Sequence, residues 1–217
     1  ELGYIEGKNI LIEYRYAEGK FDRLPALAAE LVSFKVVLIV TTGPTVTRAV
    51  KSATTTVPIV MATDSDPVGN GFVASLARPG RNITGLSALA PELSGKQLEL
   101  LKEIVPKLSR VAVLGTSTNP GNSQMLRETE LVATKFGVKL QYLDVLDPKD
   151  IETAFRAATK GRADAVLMLL PGRIAASHRT QIVKLAVKSR LPVIYSGQPY
   201  VEAGGLMTYG VNGADLD

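Results

Sequence analysis

The sequence predicts an α/β protein of two similar lobes, each built on a parallel sheet. Three observations carry that prediction. Strand-like and helix-like segments alternate along the chain with little between them. Several strand-like runs are continuous and β-branched, as in VVLIV at residues 36–40, the pattern of strands covered by helices on both faces. The alternation also comes in two successive blocks, separated by a break in composition at residues 87–92.

In the first block, residues 9–16 (NILIEYRY) are β-rich and predict a strand. Asp22 is placed to cap a helix whose apolar positions Leu24, Leu27, Ala28, Leu31 and Val32 follow the i, i+3, i+4, i+7, i+8 spacing. After the strand at 36–40, Gly43-Pro44 opens a second helix, because proline's missing N–H costs nothing in a first turn. Its apolar stripe is Val46, Ala49, Val50 and Ala53. A strand at 58–62 leads to the loop bearing Asp64 and Asp66. A short amphipathic helix through Phe72, Val73 and Leu76 is expected to end at Pro79-Gly80, before a strand at 83–86.

The second block opens with Ser94 and Gln97 as a capping box ahead of Leu98, Leu101, Ile104 and Val105. A strand at 111–114, a loop at 116–122 and a helix carrying Met125, Thr129, Val132 and Phe136 follow, with Gly137 as its stop. Further strands are expected at 139–145, 165–170, 193–195 and 206–209. One helix of Ile151, Ala154, Phe155 and Ala158 should start at Asp147-Pro148, and another should cover 177–189. Right-handed crossovers then place the loops after the strands' carboxyl ends where ligands bind: 41–45, 63–70, 116–122, 171–177 and 195–198.

Composition removes several function classes. The chain of 217 residues has no cysteine, so disulfides, thiolate metal sites and cysteine nucleophiles are excluded. A net charge of +4, scattered bases and no tryptophan argue against nucleic acid as a partner. No window has the eighteen or so uninterrupted apolar residues of a membrane span. The chain opens on Glu1 rather than Met, so the lack of a leader decides nothing about export.

The motifs narrow the field further. Asp64-Ser65-Asp66 after an apolar strand looks like the haloacid-dehalogenase nucleophile motif, but the later strand ends carry Thr116, Pro171 and Ser196 where that chemistry needs a lysine and an acidic pair. As a calcium loop it lacks a third ligand and a closing glutamate, and Pro67 interrupts it. His178 has no second nitrogen ligand for zinc. There is no G-x-S-x-G elbow, no G-x-G-x-x-G and no phosphate-binding P-loop, so no cofactor is expected. What remains is a set of loops rich in hydroxyl, amide and glycine residues: 41–43, Ser65, 116–122 and 196–198. Several precede helix N-termini, which favour an anionic group.

At this point a family resemblance enters. It is carried by GYIEGKN at 3–9 leading to IEYR at 12–15, LPALAAEL at 24–31, and PIV at 58–60 running on to SDPVG at 65–69. It continues through FVASLARPGRN at 72–82, Thr84-Gly85, KQLELLK at 96–102, Asn119-Pro120, Leu191-Pro192 and EAGGLMTYG at 202–210. Together these resemble the ABC-transporter substrate-binding proteins of the tryptophan-binding type, over essentially the whole chain. The resemblance implies a type I periplasmic binding protein-like fold, with two Rossmann-like lobes joined by a hinge and closing on a solute that passes to ABC permease subunits. It implies an extracytoplasmic place, periplasmic or lipid-anchored, and no catalysis. It also implies a strand and helix ahead of Glu1 and a crossover helix past Asp217. The lobes would then be residues 1–88 and 89–209, with 210–217 starting the crossover.

In the tryptophan-binding branch a Pro-Thr-Asp type loop follows the strand that ends near Leu170 here, and its aspartate suits a ligand ammonium. This sequence has Pro171-Gly172-Arg173 instead, which argues against an amino-acid ligand and favours a carboxylate-bearing solute without a free amine, held bidentately by Arg173. The expected function is a solute-binding receptor of an ABC importer, taking an amino acid or an aromatic or carboxylate compound in the cleft between lobes. Thr42, Gly43, Thr45, Asp64, Ser65 and Asp66 would line one wall; Ser117, Asn119, Asn122, Arg173 and Gln198 would line the other. Within the aspartate pair, Asp66-Pro67 reads as a turn-former and Asp64 or Ser65 as the ligand-facing residue. The alternatives are a haloacid-dehalogenase-like phosphatase using Asp64 and the effector-sensing domain of a transcription regulator.

Overall fold

The structure, a computed structural model, describes residues 3–119, 121–170 and 172–210; the side chain of Arg173 and the expected crossover start at 211–217 lie outside the described residues. The chain divides between Ser87 and Ala88 into two compact units. Each is built on its own parallel sheet.

In the first unit a 3-10 turn, Phe21–Arg23, leads into α1 (Leu24–Ser33), followed by β1 (Ile39–Thr42), α2 (Pro44–Ala53), β2 (Ile59–Asp64) and β3 (Ile83–Ser87). The strands lie in the order β1-β2-β3, with Ile39 beside Ile59 and Ile59 beside Ile83. These three isoleucines, with Ala28, Val50, Met61, Phe72 and Val73, form the core. Pro44 opens α2 behind Gly43, whose φ of 79° is one a residue with a Cβ rarely adopts. Gly85 is constrained differently: a Cβ there would strike the backbone of Met61 on the neighbouring strand.

Four expectations for this unit are corrected. Residues 9–16 form no strand; the segment has only the bridge between Glu6 and Ile10, and Leu11 is 79% exposed. Strand propensity is largely cross-strand packing, and no described strand lies beside these residues. Asp22 falls inside the 3-10 turn, and α1 starts without a side-chain cap. The strand expected at 36–40 begins at Ile39, with Val40 62% exposed, because β1 is an edge strand that buries alternate residues. Phe72 to Leu76 form bends and irregular backbone rather than a helix. The Pro67 carbonyl accepts from the amides of both Phe72 (2.9 Å) and Val73 (3.3 Å), which closes the turn and leaves no helical ladder to propagate.

The second unit runs α3 (Ala90–Ile104), β4 (Arg110–Gly115), α4 (Asn122–Phe136), β5 (Lys139–Asp144), α5 (Asp150–Lys160), β6 (Ala165–Met168), α6 (Gly172–Ser177), α7 (Arg179–Ser189), β7 (Val193–Tyr195), α8 (Pro199–Glu202) and β8 (Met207–Thr208). The order is β5-β4-β6-β7-β8, all parallel. Ala112, Leu114, Val166 and Met168 pack with Ile151, Phe155, Ile182 and Val183 on one face. Val111, Val113, Ala165 and Leu167 pack with Leu98, Leu101 and Ala133 on the other. That two-residue period with both faces apolar is why β4 and β6 read as unbroken hydrophobic runs.

Gly137, at φ 64°, ends α4 as expected, and the Val138 amide returns to the Ala133 carbonyl at 2.9 Å. The capping box is corrected: α3 already starts at Ala90 with Pro91 in its first turn, so Ser94 and Gln97 sit inside the helix. Their side chains turn inward. Ser94 Oγ lies 2.9 Å from the Met125 carbonyl, and Gln97 Nε2 donates to the Tyr209 carbonyl at 2.6 Å. The helix expected at 177–189 is α7, which starts after His178, and a separate short helix, α6, precedes it. The next start shifts too: α5 begins at Asp150, whose carboxylate accepts from the amides of Leu146 and Asp147.

Candidate functional site

In the second unit the chain order reverses between β4 and β6, because β5 lies on one side of β4 and every later strand lies beyond β6. Parallel sheets bind ligands at the carboxyl ends of strands flanking such a switch point. The loop after β4 is held firmly. Thr116 Oγ1 donates to the Val145 carbonyl at 2.8 Å, and the Asn119 amide donates to the Thr116 carbonyl at 3.0 Å. Ser117 gives both its amide (2.8 Å) and its hydroxyl (2.6 Å) to the carboxylate of Asp144, at the end of β5.

Asn122, the first residue of α4, is 3% exposed and packs under Gly115, where a Cβ would come within 2.7 Å of its Nδ2. That amide donates to the Tyr142 hydroxyl at 2.9 Å, while Oδ1 is buried without a partner. Burial and the nearby Asp144 charge raise the Tyr142 pKa. Gln198 is exposed at the start of α8, and its carbonyl accepts from the Val201 amide at 2.9 Å. Beneath that loop Tyr195 and Tyr200 stack with centroids 4.6 Å apart, and burial pushes both phenols to about 12.

In the first unit the strand ends bring together a different set. Thr42 and Thr45 are exposed on either side of Gly43, whose amide donates to the Thr63 carbonyl at 3.0 Å. Thr41 and Thr47, buried below them, share a hydroxyl hydrogen bond of 2.9 Å. Asp64 closes β2 and is 1% exposed. Its Oδ1 accepts from the Asp66 amide (3.0 Å) and from Asn70 Nδ2 (2.8 Å). Its Oδ2, like the neighbouring Ser65 Oγ, is buried with no hydrogen-bond partner. Burial raises the Asp64 pKa above the ordinary carboxylate value, against the opposing pull of Asn70, the Asp66 amide and Arg48. Asp66 Oδ1 accepts from the Gly69 amide at 2.9 Å, the turn-forming role expected of it.

The sequence pointed to Asp64 and Ser65 but not to Asn70 or Asp144, the two side chains that organise these loops. Asn70 stands between two glycines and reads as a turn residue, and Asp144 reads as the polar end of a strand. Among the described residues no group of three His, Cys, Asp or Glu side chains is placed to hold a metal, and no helix is long and apolar enough to cross a membrane.

Comparison with known proteins adds a second line of observation. Residues 1–216 match the model of a family described as ABC transporter substrate binding protein. A tyrosine-binding protein of Clostridioides difficile (strain R20291) is 27% identical over 212 residues, which is 98% of this chain; the chain spans 60% of that relative's length. The crystal structure of a conserved domain protein from Vibrio cholerae O1 biovar El Tor strain N16961 superposes with a TM-score of 0.85 at 30% identity, covering 99% of this chain and 71% of that one. An ABC domain in complex with L-Trp from Streptococcus pneumonia gives a TM-score of 0.81 at 26% identity, covering 95% of this chain and 70% of that one.

Proposed function

Because the chain belongs to the ABC transporter substrate-binding protein family, we propose that it binds a small organic solute as the extracytoplasmic receptor of an importer and delivers it to permease subunits. The observation that carries this reading is the match over residues 1–216. Two relatives whose names record a ligand, L-Trp and tyrosine, make aromatic amino acids the first solutes to try. The output is binding without covalent chemistry or a cofactor.

One wall of the site would come from Thr42, Gly43, Thr45, Asp64 and Ser65 in the first unit, with Asp66 holding the turn. The other would come from Ser117, Asn119, Asn122, Arg173 and Gln198 in the second. A solute shifts such a protein toward a closed state only by its differential affinity for that state. Ser117 is already engaged by Asp144 and fixes the loop after β4, whereas Asn122, whose Nδ2 is engaged by Tyr142, keeps Oδ1 for a donor from the solute.

The test is a melting-temperature screen of amino acids, aromatic acids and purines on the full chain, followed by calorimetric titration of each hit. A ligand at one hundred times its Kd stabilises the native state by about 2.7 kcal/mol. A panel without a single saturable hit would remove the receptor reading.

A further inference from the structure

We propose that Asp64 Oδ2 and Ser65 Oγ form the receptor for a cationic amine on the solute. This deepens the solute-receptor reading and rests on it. The two residues are consecutive at the carboxyl end of β2, both oxygens are buried, and neither has a hydrogen-bond partner. Native proteins pair nearly all such atoms, and two consecutive exceptions at a strand's carboxyl end, where parallel sheets bind ligands, are positions a solute can satisfy. The carboxylate is already oriented, since Oδ1 is held by the Asp66 amide and Asn70 Nδ2. Oδ2 is the oxygen left to accept.

The chemistry of the pair selects the ligand group. An ammonium has three donors and no acceptor, so one such group can serve both oxygens and neutralise the buried charge. A neutral hydroxyl offers a single donor and leaves the charge. A carboxylate on the solute would be repelled. Among the described residues the nearby cations do not hydrogen-bond Oδ2: Arg48 on α2, whose charge reaches Asp64, sits over the Phe72 ring at 5.3 Å from its centroid, and Lys51 on the same helix donates to the Gly71 carbonyl at 2.6 Å. The other nearby charge, Asp66, is engaged with the Gly69 amide. An amine-bearing solute runs against the expectation drawn from the loop at 171–173, which was of a carboxylate-bearing solute without a free amine.

Without a ligand, burial favours the protonated form of Asp64, and the ammonium requires the carboxylate. Where Asp64 is protonated before binding, arrival of the amine releases that proton, so affinity rises with pH through the Asp64 titration.

The experiment uses the full chain and matched probes: L-tryptophan and L-tyrosine, tryptamine, and indole-3-propionate and 3-(4-hydroxyphenyl)propionate, which lack the amine. Titration calorimetry is run across pH on the native protein, Asp64→Asn and Ser65→Ala. The expected result is a preference of about tenfold or more for amine-bearing probes, lost in Asp64→Asn and reduced in Ser65→Ala, with affinity for the desamino acids nearly unchanged. The rise of affinity with pH should flatten in Asp64→Asn. Equal affinity of native protein for amine and desamino probes overturns the inference, as does an equal loss for both in Asp64→Asn. If only solutes without an amine bind, the receptor reading stands and this inference falls; if no solute of the wider screen binds, both fall. Should Asp64→Asn fold poorly, Ser65→Ala against the same probe pairs decides the matter.

Discussion

Asn70 Nδ2 donates a 2.8 Å hydrogen bond to Asp64 Oδ1, and both side chains are buried. One side chain of a glycine-flanked turn thus holds the carboxylate that ends β2. Asn70→Ala should leave that carboxylate short of a donor at a cost of about 1–3 kcal/mol. Thermal or urea unfolding checks this. It should also raise the Asp64 pKa further, because the bond now opposes burial. A variant as stable as the native protein would mean that water replaces the amide.

Asp64 also predicts how stability varies with pH. Its folded pKa is raised, so between the unfolded and folded values the native state binds more protons than the unfolded chain. Stability contributed by this group is present at low pH and falls as pH rises through that window. In the absence of solute, Asp64→Asn should flatten that fall and make the protein at least as stable as native at neutral pH. Urea midpoints at several pH values test the sign, and a variant that instead loses stability most at neutral pH would contradict it.

The two aspartates of this loop should separate. Asp66→Ala removes the acceptor for the Gly69 amide and should cost about 1 kcal/mol of stability with little effect on solute affinity. Asp64→Ala should weaken binding. Equal and negligible effects of both on binding would remove the loop from the site.

How far the sequence could be read follows from what each element depends on. β4 and β6 are legible because apolar residues on both faces leave an unbroken run, and α2 because Gly43-Pro44 is a local signal. Residues 9–16 mislead because strand formation depends on a neighbour that the segment itself does not contain. Ser94 and Gln97 mislead for a related reason: their partners, the carbonyls of Met125 and Tyr209, are far along the chain, and a capping box is recognised by spacing alone. Asp64 could be nominated from its place at a strand end, whereas its half-satisfied carboxylate depends on Asn70 and the local burial.

Gln97 supplies the last prediction. Its amide, 3% exposed, reaches from α3 to the Tyr209 carbonyl at 2.6 Å, with the Tyr195 carbonyl at 3.5 Å. Tyr195 also takes the Tyr209 amide at 2.9 Å, so Gln97 ties the segment after β8 to β7. Gln97→Leu keeps the bulk but removes the donor to the Tyr209 carbonyl, and should cost about 1 kcal/mol. Gln97→Glu goes further, setting a carboxylate against carbonyl oxygens, which disfavours the charged form and raises its folded pKa. By the sign rule for a raised acid, its stability should recover as pH is lowered, when the protonated side chain can again donate. Gln97→Leu should show no such recovery. Denaturant midpoints of the two variants at acidic and neutral pH give the comparison, and parallel pH profiles would mean that residue 97 does not face these carbonyls.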